Sequence, residues 1–389
     1  MKVELSLKKL KGIKPKGVKV KSKTNLENLI ELEVEVMKRF KQSKLLKQDE
    51  GFLRMLNIKK FIRRLSRDKQ LYYCDNDLRN YVLARANQES EDPELLGTFT
   101  GALLSYLCDA AGVRRSINGE PEKRFKFSID GQGAKFDYLF KYADNVGDLS
   151  LENFTGFRMG YGMALTKNGY LRSLVLNNIK GRSNFVRMGS QGANVGLVVI
   201  NNCEGNNHFS FLGSKRGRVE LLIVQKFNGN NLLDYFGSEG IIGAVIGRNL
   251  TTDSSLMGVA NSDGAVGLVY AENIKANNIF AQLGSYGHAN ICFMKNIDCK
   301  YPALGGSASS VVSEKQHFDD WDYLTEKYCV NKFLELGLQT TDGSEDEKFL
   351  VVDQIINLYE KLKPVFDVSY RNRFNKSPRE VMEEKLKLD

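Results

Sequence analysis

Three side chains in the middle of the chain have the types that acid–base chemistry needs. Glu239 lies in Gly237-Ser238-Glu239-Gly240, Asp263 in Asn261-Ser262-Asp263-Gly264, and His288 follows Gly287. They stand 24 and 25 residues apart, with Lys215 and Arg216 a similar interval before Glu239. If the chain returns on itself at that interval, layers about 4.8 Å apart bring neighbouring carboxylates to about 5 Å, the separation of a retaining glycosidase pair. The bland reading is of polar turn residues facing solvent. Only three histidines are present, at 208, 288 and 317, which argues against a His-rich metal site. There is no P-loop, no H-E-x-x-H and no G-x-S-x-G, so neither metal nor cofactor is expected. Six scattered cysteines without a C-x-x-C pair read as reduced core residues of a cytoplasmic protein.

The second chemistry is electrostatic. The first 70 residues carry 21 Lys and Arg against 8 Asp and Glu, a net of +13 in a chain whose total is +9. Nine of the first 23 residues are lysine. Lys8, Lys9, Lys11, Lys14, Lys16, Lys19, Lys21 and Lys23 form a block that attracts polyanions, because each neutralised phosphate releases condensed counterions. Contacts of this kind position a nucleic acid without reading its bases. Equally, VELSL (3–7) and GVKVK (17–21) could pair as strands whose outward lysines protect an edge. Over 52–67, Leu53, Leu56, Phe61 and Leu65 fall near one helical face, and Arg63, Arg64 and Arg67 on another that is either RNA-facing or simply solvated.

The elements that must position these residues show in a repeat. Asn153, Asn178, Asn202, Lys226, Asn249, Asn273 and Asn296 occupy one column at steps of 23 to 25 residues. The next column is apolar: Phe154, Ile179, Cys203, Phe227, Leu250, Ile274 and Ile297. In a second block, Phe185, Phe209, Leu233, Leu256 and Phe280 precede Gly189, Gly213, Gly237, Ala260 and Gly284 by four residues. Short β-rich runs separated by Gly, Asn and Ser at this period predict about seven coils of a β-solenoid, with Phe above Phe inside and Asn above Asn at a bend. The absence of an L-x-x-L-x-L pattern argues against a leucine-rich repeat.

The segments FSIDGQGAKFDYLF (127–140) and NVGDLSLENFTG (145–156) resemble the first coils of pectin-lyase-like right-handed parallel β-helices. The resemblance covers about 125–310. It implies three short parallel strands per coil, with the Asn column at the second bend. Asn261-Ser262-Asp263-Gly264 also resembles the N-T-D-G of polygalacturonases, and Gly287-His288 the start of their G-H-G. That likeness would make Asp263 the acid and His288 a supporting group. However, their Asp-Asp pair is replaced here by Ser285-Tyr286-Gly287, which leaves Asp263 without a partner.

Four parts follow: a basic arm or hairpin (1–24), a helical N-terminal region (25–124), a parallel β-helix (125–312) and a helical C-terminal region (313–389). Asp92-Pro93 opens a helix carrying Gly97, Gly101 and Ala102, small residues suited to close packing. Helices are predicted over 314–338, 345–363 and 377–388, with Pro364 ending the second. The flanking helices are expected to cap the ends of the rod, where open strands would otherwise be exposed. No apolar run is long enough to span a bilayer, and no secretory h-region opens the chain. The first reading is a non-enzymatic scaffold docking on RNA or another polyanion through residues 1–70. The alternatives are a carbohydrate-active hydrolase or lyase, and a subunit binding other proteins through the solenoid flank or C-terminal helices.

Overall fold

The computed structural model describes residues 23–40, 50–69, 72–112, 125–255, 264–279, 288–302, 308–313, 323 and 325–366. The chain enters through four helices, α1 (Asn25–Phe40), α2 (Glu50–Lys69), α3 (Asp75–Arg85) and α4 (Pro93–Ala110). A capping box opens α1: Thr24 Oγ1 accepts from the Glu27 amide at 3.2 Å, and Glu27 Oε2 accepts from the Thr24 amide at 2.7 Å. Asp92 caps α4 by accepting from the Leu95 amide at 2.9 Å, with Pro93 in the first turn as expected. In α2 the buried apolar side chains are Met55, Ile58 and Ile62, whereas Leu53 is exposed. Leu56, Phe61 and Leu65 pack half-buried on the same core, so the expected face is met except at Leu53 and is centred on Met55, Ile58 and Ile62.

Strands β1 (Lys126–Asp130), β2 (Val146–Glu152), β3 (Thr155–Phe157), β4 (Tyr170–Asn177) and β5 (Lys180–Arg182) open a parallel β-solenoid. It continues through β6 (Asn194–Asn206), β7 (Arg218–Gly229), β8 (Ile241–Ser255), β9 (Ala265–Ile279), β10 (His288–Pro302) and β11 (Ala308–Ser313). The seven repeat segments stack in register and bound about six turns. The Asn column stacks as the spacing requires: all its members, Lys226 included, have φ between 49° and 58°. Asn178 Nδ2 donates to Asn153 Oδ1 at 2.8 Å, and Asn273 and Asn296 continue the amide chain from Asn249 at 3.0 Å each. Inside, the Phe185 and Phe209 rings stack at 5.3 Å and 9°.

The coil differs from three short strands. After the Asn bend the backbone passes a tight column in which Gly181 and Gly205 have φ of 132° and 136°. A Cβ at either would lie 1.8 Å from the carbonyl oxygen of the coil beneath. From Thr252 onward the column accepts side chains, and β6 to β10 all run unbroken through the bend. The third side of the coil is not a strand in the described part. Its alternate residues are left-handed: Ser183, Phe185, Arg187, Gly189 and Gln191, then Asn207, Phe209, Phe211, Gly213 and Lys215, then Asn231, Leu233, Tyr235, Gly237 and Glu239. Such a backbone costs about 1–2 kcal/mol per non-glycine residue. The cost is offset because the amides bond across coils, as Phe185 does back to Met159 O at 2.6 Å and Arg187 forward to Ser210 O at 2.9 Å.

The strands alternate between two apolar faces. Val198, Leu222, Val245 and Val269 point into the solenoid, and Val199, Ile223, Ile246 and Leu268 point outward. The outward face is covered by α5 (Val330–Gln339) and α6 (Glu345–Phe366), through Phe333, Leu334, Phe349, Val352, Ile355 and Tyr359. Hydrogen bonds fix the docking: Gln225 Nε2 donates to Leu334 O and Asn201 Nδ2 to Gly337 O, both at 2.8 Å. These helices lie along the rod's flank and do not cap its end. Pro364 sits inside α6, which runs on to Phe366 because the Phe366 ring stacks on Tyr328 and Tyr359 at 5.8 and 5.5 Å. The helix expected over 377–388 lies outside the described residues.

At the other end α4 does act as a cap. Gly97 and Gly101 approach Tyr138 and Lys141 so closely that an added Cβ would lie 2.2 and 2.1 Å from their carbonyl oxygens. Thr100 Oγ1 accepts from the Phe140 amide at 3.0 Å, and Ser105 Oγ from the Asp144 amide at 2.8 Å. Higher in the rod the equivalent amides bond to the coil beneath, as Gly160 does to Leu139 O and Ala164 to Ala143 O. Hydroxyls of α4 thus replace the carbonyls of a missing coil. Lys141 is buried here, paired with Glu94 at 2.6 Å and flanked by the Tyr138, Tyr142 and Tyr161 rings, and burial lowers its pKa.

Candidate nucleic-acid interface

The basic residues divide into those that hold the helices together and those that face solvent. On α2, Lys59 is buried against Asp109 at 2.8 Å, and Arg63 pairs with the same carboxylate. Arg54 Nη2 donates to Phe40 O at 2.6 Å, and Arg39 lies 4.8 Å over the Phe61 ring. Lys23 pairs with Glu31 at 2.5 Å. What remains outward is Lys38 on α1 with Lys60 and Arg64 on α2, all exposed and without an ion pair among the described residues. Of the three arginines expected on one free face, Arg64 is free and Arg63 is neutralised. The Arg67 side chain lies outside the described residues, as do Lys8, Lys9, Lys11, Lys14, Lys16, Lys19 and Lys21. Of the acids of α1, Glu27 and Glu31 are exposed and Glu35 is half-buried. Glu33 is buried, accepting from Tyr81 Oη at 2.6 Å and Arg85 at 2.7 Å.

The acid–base candidates are placed as follows. Glu239 is an exposed turn residue with φ of 57°, and its carbonyl accepts from the Arg216 amide at 2.7 Å. Asp263 lies outside the described residues. His288 opens β10 opposite Ala265, which in turn pairs with Ile241. It therefore stands two coils, about 10 Å, beyond the level at which Glu239 turns into β8. The side chain of His288 lies outside the described part.

A cleft that the repeat columns did not single out lies beside the Asn bend, where glycine gives way to Thr252, Ala276 and Cys299. It has a volume of about 510 Å³ and is lined by Asn228, Thr251, Lys275 and Asp298 in one row, with Asn230, Asp253 and Asn277 beside it. Asn277 Nδ2 donates to Asp253 Oδ1 at 3.2 Å. The strand register puts Asp253 and Asp298 two coils apart, wider than the one-coil spacing of a retaining carboxylate pair. Among the described residues, no group of three His, Cys, Asp or Glu side chains could hold a metal ion, and no helix is long and apolar enough to cross a membrane. The cysteines are free; burial pushes the Cys108, Cys203 and Cys292 thiols up to about 12, so they stay protonated.

No family model, curated protein or solved structure matches this chain. Its function is therefore read from its own charges and surfaces.

Proposed function

We propose that the protein is a non-enzymatic scaffold, a β-solenoid of the pectin-lyase-like kind whose basic N-terminal region docks on RNA. The observation that carries this reading is charge segregation: a net of +13 over residues 1–70 in a chain of +9. The solvent-facing Lys38, Lys60 and Arg64 add a basic surface on α1 and α2, which pack on α4. These cations contact phosphates, and the rod holds that surface in a fixed relation to its own faces.

The test is fluorescence anisotropy with a labelled mixed-sequence RNA duplex over a range of salt concentrations. Replacing Lys8, Lys9, Lys11, Lys14, Lys16, Lys19, Lys21 and Lys23 by Gln should weaken binding and flatten the dependence of log K on log salt. The expected change is about 0.9 in slope for each duplex phosphate that is no longer neutralised. Unchanged affinity and slope in this variant would overturn the reading.

A further inference from the structure

The left-handed side of the coil carries a surface that the N-terminal charge does not involve. Arg187, Phe211 and Tyr235 share one column there. Their coils are set in register by the Arg187 amide donating to Ser210 O at 2.9 Å and the Phe211 amide to Asp234 O at 2.8 Å. Because alternate residues face opposite ways, Phe185, Phe209 and Leu233 fill the core two positions earlier, and this column points out. Phe211 and Tyr235 are 41% and 40% exposed, and their rings stack at 5.2 Å with 7° between planes. They form a half-exposed stack of two rings, an aromatic platform on the outside of the rod.

The surroundings of that platform are cationic. Arg158, Lys167, Arg182, Arg187, Lys215 and Arg216 lie on this side of successive coils, and none makes an ion pair among the described residues. Arg158 sits over the Phe157 and Tyr161 rings at 5.0 and 5.5 Å, which leaves its charge uncancelled. Among the described residues, three acids share the side outside the core: Asp137, which pairs with Lys135 at 3.3 Å, Asp234 and Glu239. Asp234 is half-buried, and burial raises its pKa.

We propose that this side of the solenoid binds single-stranded nucleic acid, with an unpaired base packed on the Phe211–Tyr235 platform and flanking phosphates on Arg187, Lys215 and Arg216. An aromatic platform within a row of unpaired cations is the combination that single strands require, since every base has a π-face and every linkage a charge. A duplex hides its base faces, and a polyanion such as heparin has none. A neutral polysaccharide could use the rings but would leave the cations idle.

The test uses the full chain with three probes: a labelled 12-nucleotide oligouridylate, an RNA duplex of equal charge, and heparin. The double variant Phe211→Ala, Tyr235→Ala should weaken oligouridylate binding by about tenfold or more. Binding of duplex and heparin should change less than twofold. Should the alanines lower the melting temperature, Phe211→Leu with Tyr235→Leu keeps apolar bulk without rings and must show the same selective loss. Undetectable oligouridylate binding by the wild type, unchanged binding in both variants, or equal loss on all three probes would overturn the proposal. The N-terminal lysine variant acts on every probe alike, so failure of the docking reading and failure of this one are told apart.

Discussion

His208 lies in the core, with its ring 5.7 Å from that of Phe227 and its Nε2 3.2 Å from the Gly181 carbonyl oxygen. Burial lowers its pKa to about 4, while burial raises that of Asp144 to about 6. The two act oppositely on stability. As pH falls below about 6.5, the unfolded chain takes up a proton on His208 that the folded chain refuses until about pH 4, so acid removes stability across that window. Asp144 is protonated in the folded chain below about pH 6 but in the unfolded chain only below 3.8, so acid adds stability between those values. Between pH 7.5 and 5 the first effect is about 2 kcal/mol and the second about 1 kcal/mol in the other direction. We predict that His208→Leu makes the change in urea midpoint from pH 7.5 to 5 more favourable to acid. Asp144→Asn should make the same change less favourable. Equal pH dependence in wild type and both variants would remove this account. Neither residue stood out in the sequence. His208 is surrounded by asparagines and looks like a turn, and only the stacking of Asn184, His208 and Leu232 places it inside.

At the scale of elements, the first coil lacks the carbonyls that each later coil offers to the next. Helix α4 meets this with two hydroxyls one and a half turns apart, Thr100 on Phe140 and Ser105 on Asp144. Thr100→Val keeps the shape but leaves a buried amide without an acceptor, which costs about 1–3 kcal/mol. Thr98 is the internal control, because its Oγ1 donates only to Glu94 O within α4, at 2.8 Å. Urea unfolding should therefore show a clearly larger loss for Thr100→Val than for Thr98→Val, and equal losses would mean that α4 packs on the coil without completing its ladder. The small residues Gly97, Gly101 and Ala102 announced close packing in the sequence, since a helix spends such residues only where something comes near. Their partner was not legible, because it lies some 40 residues on. The same holds for the third side of the coil. Its Phe-x-x-x-Gly spacing gave the period, but an alternating left-handed backbone leaves no signature when Phe185, Arg187 and Leu233 adopt it alongside glycine.

Across the whole molecule, the rod has one end sealed by α4 and one long flank sealed by α5 and α6. The apolar face of α6, Phe349 through Tyr359, could be read in advance, but a face states only that something covers it. The sign that it covers a flank was in the strands. Residues 197–200, 221–224 and 244–246 are apolar without alternation, the mark of a sheet buried on both sides. The outward half of these runs, Leu197, Val199, Leu221, Ile223, Ala244 and Ile246, with Leu268 of β9 and Phe293 of β10, depends on the C-terminal helices for cover. A chain ending at residue 313 keeps its inner core and its α4 cap but bares this face. The face is one contiguous apolar patch running across several coils, the kind of surface that drives association when bared. Size-exclusion chromatography with light scattering should then show the truncated chain self-associating while its far-UV circular dichroism keeps the β-sheet signal. In the full-length protein, Gln225→Ala removes one docking bond and should leave the chain unassociated, with a lower unfolding midpoint. A truncated chain that stays monomeric with its sheet intact would mean that the flank tolerates water, and that α5 and α6 are held there for another purpose.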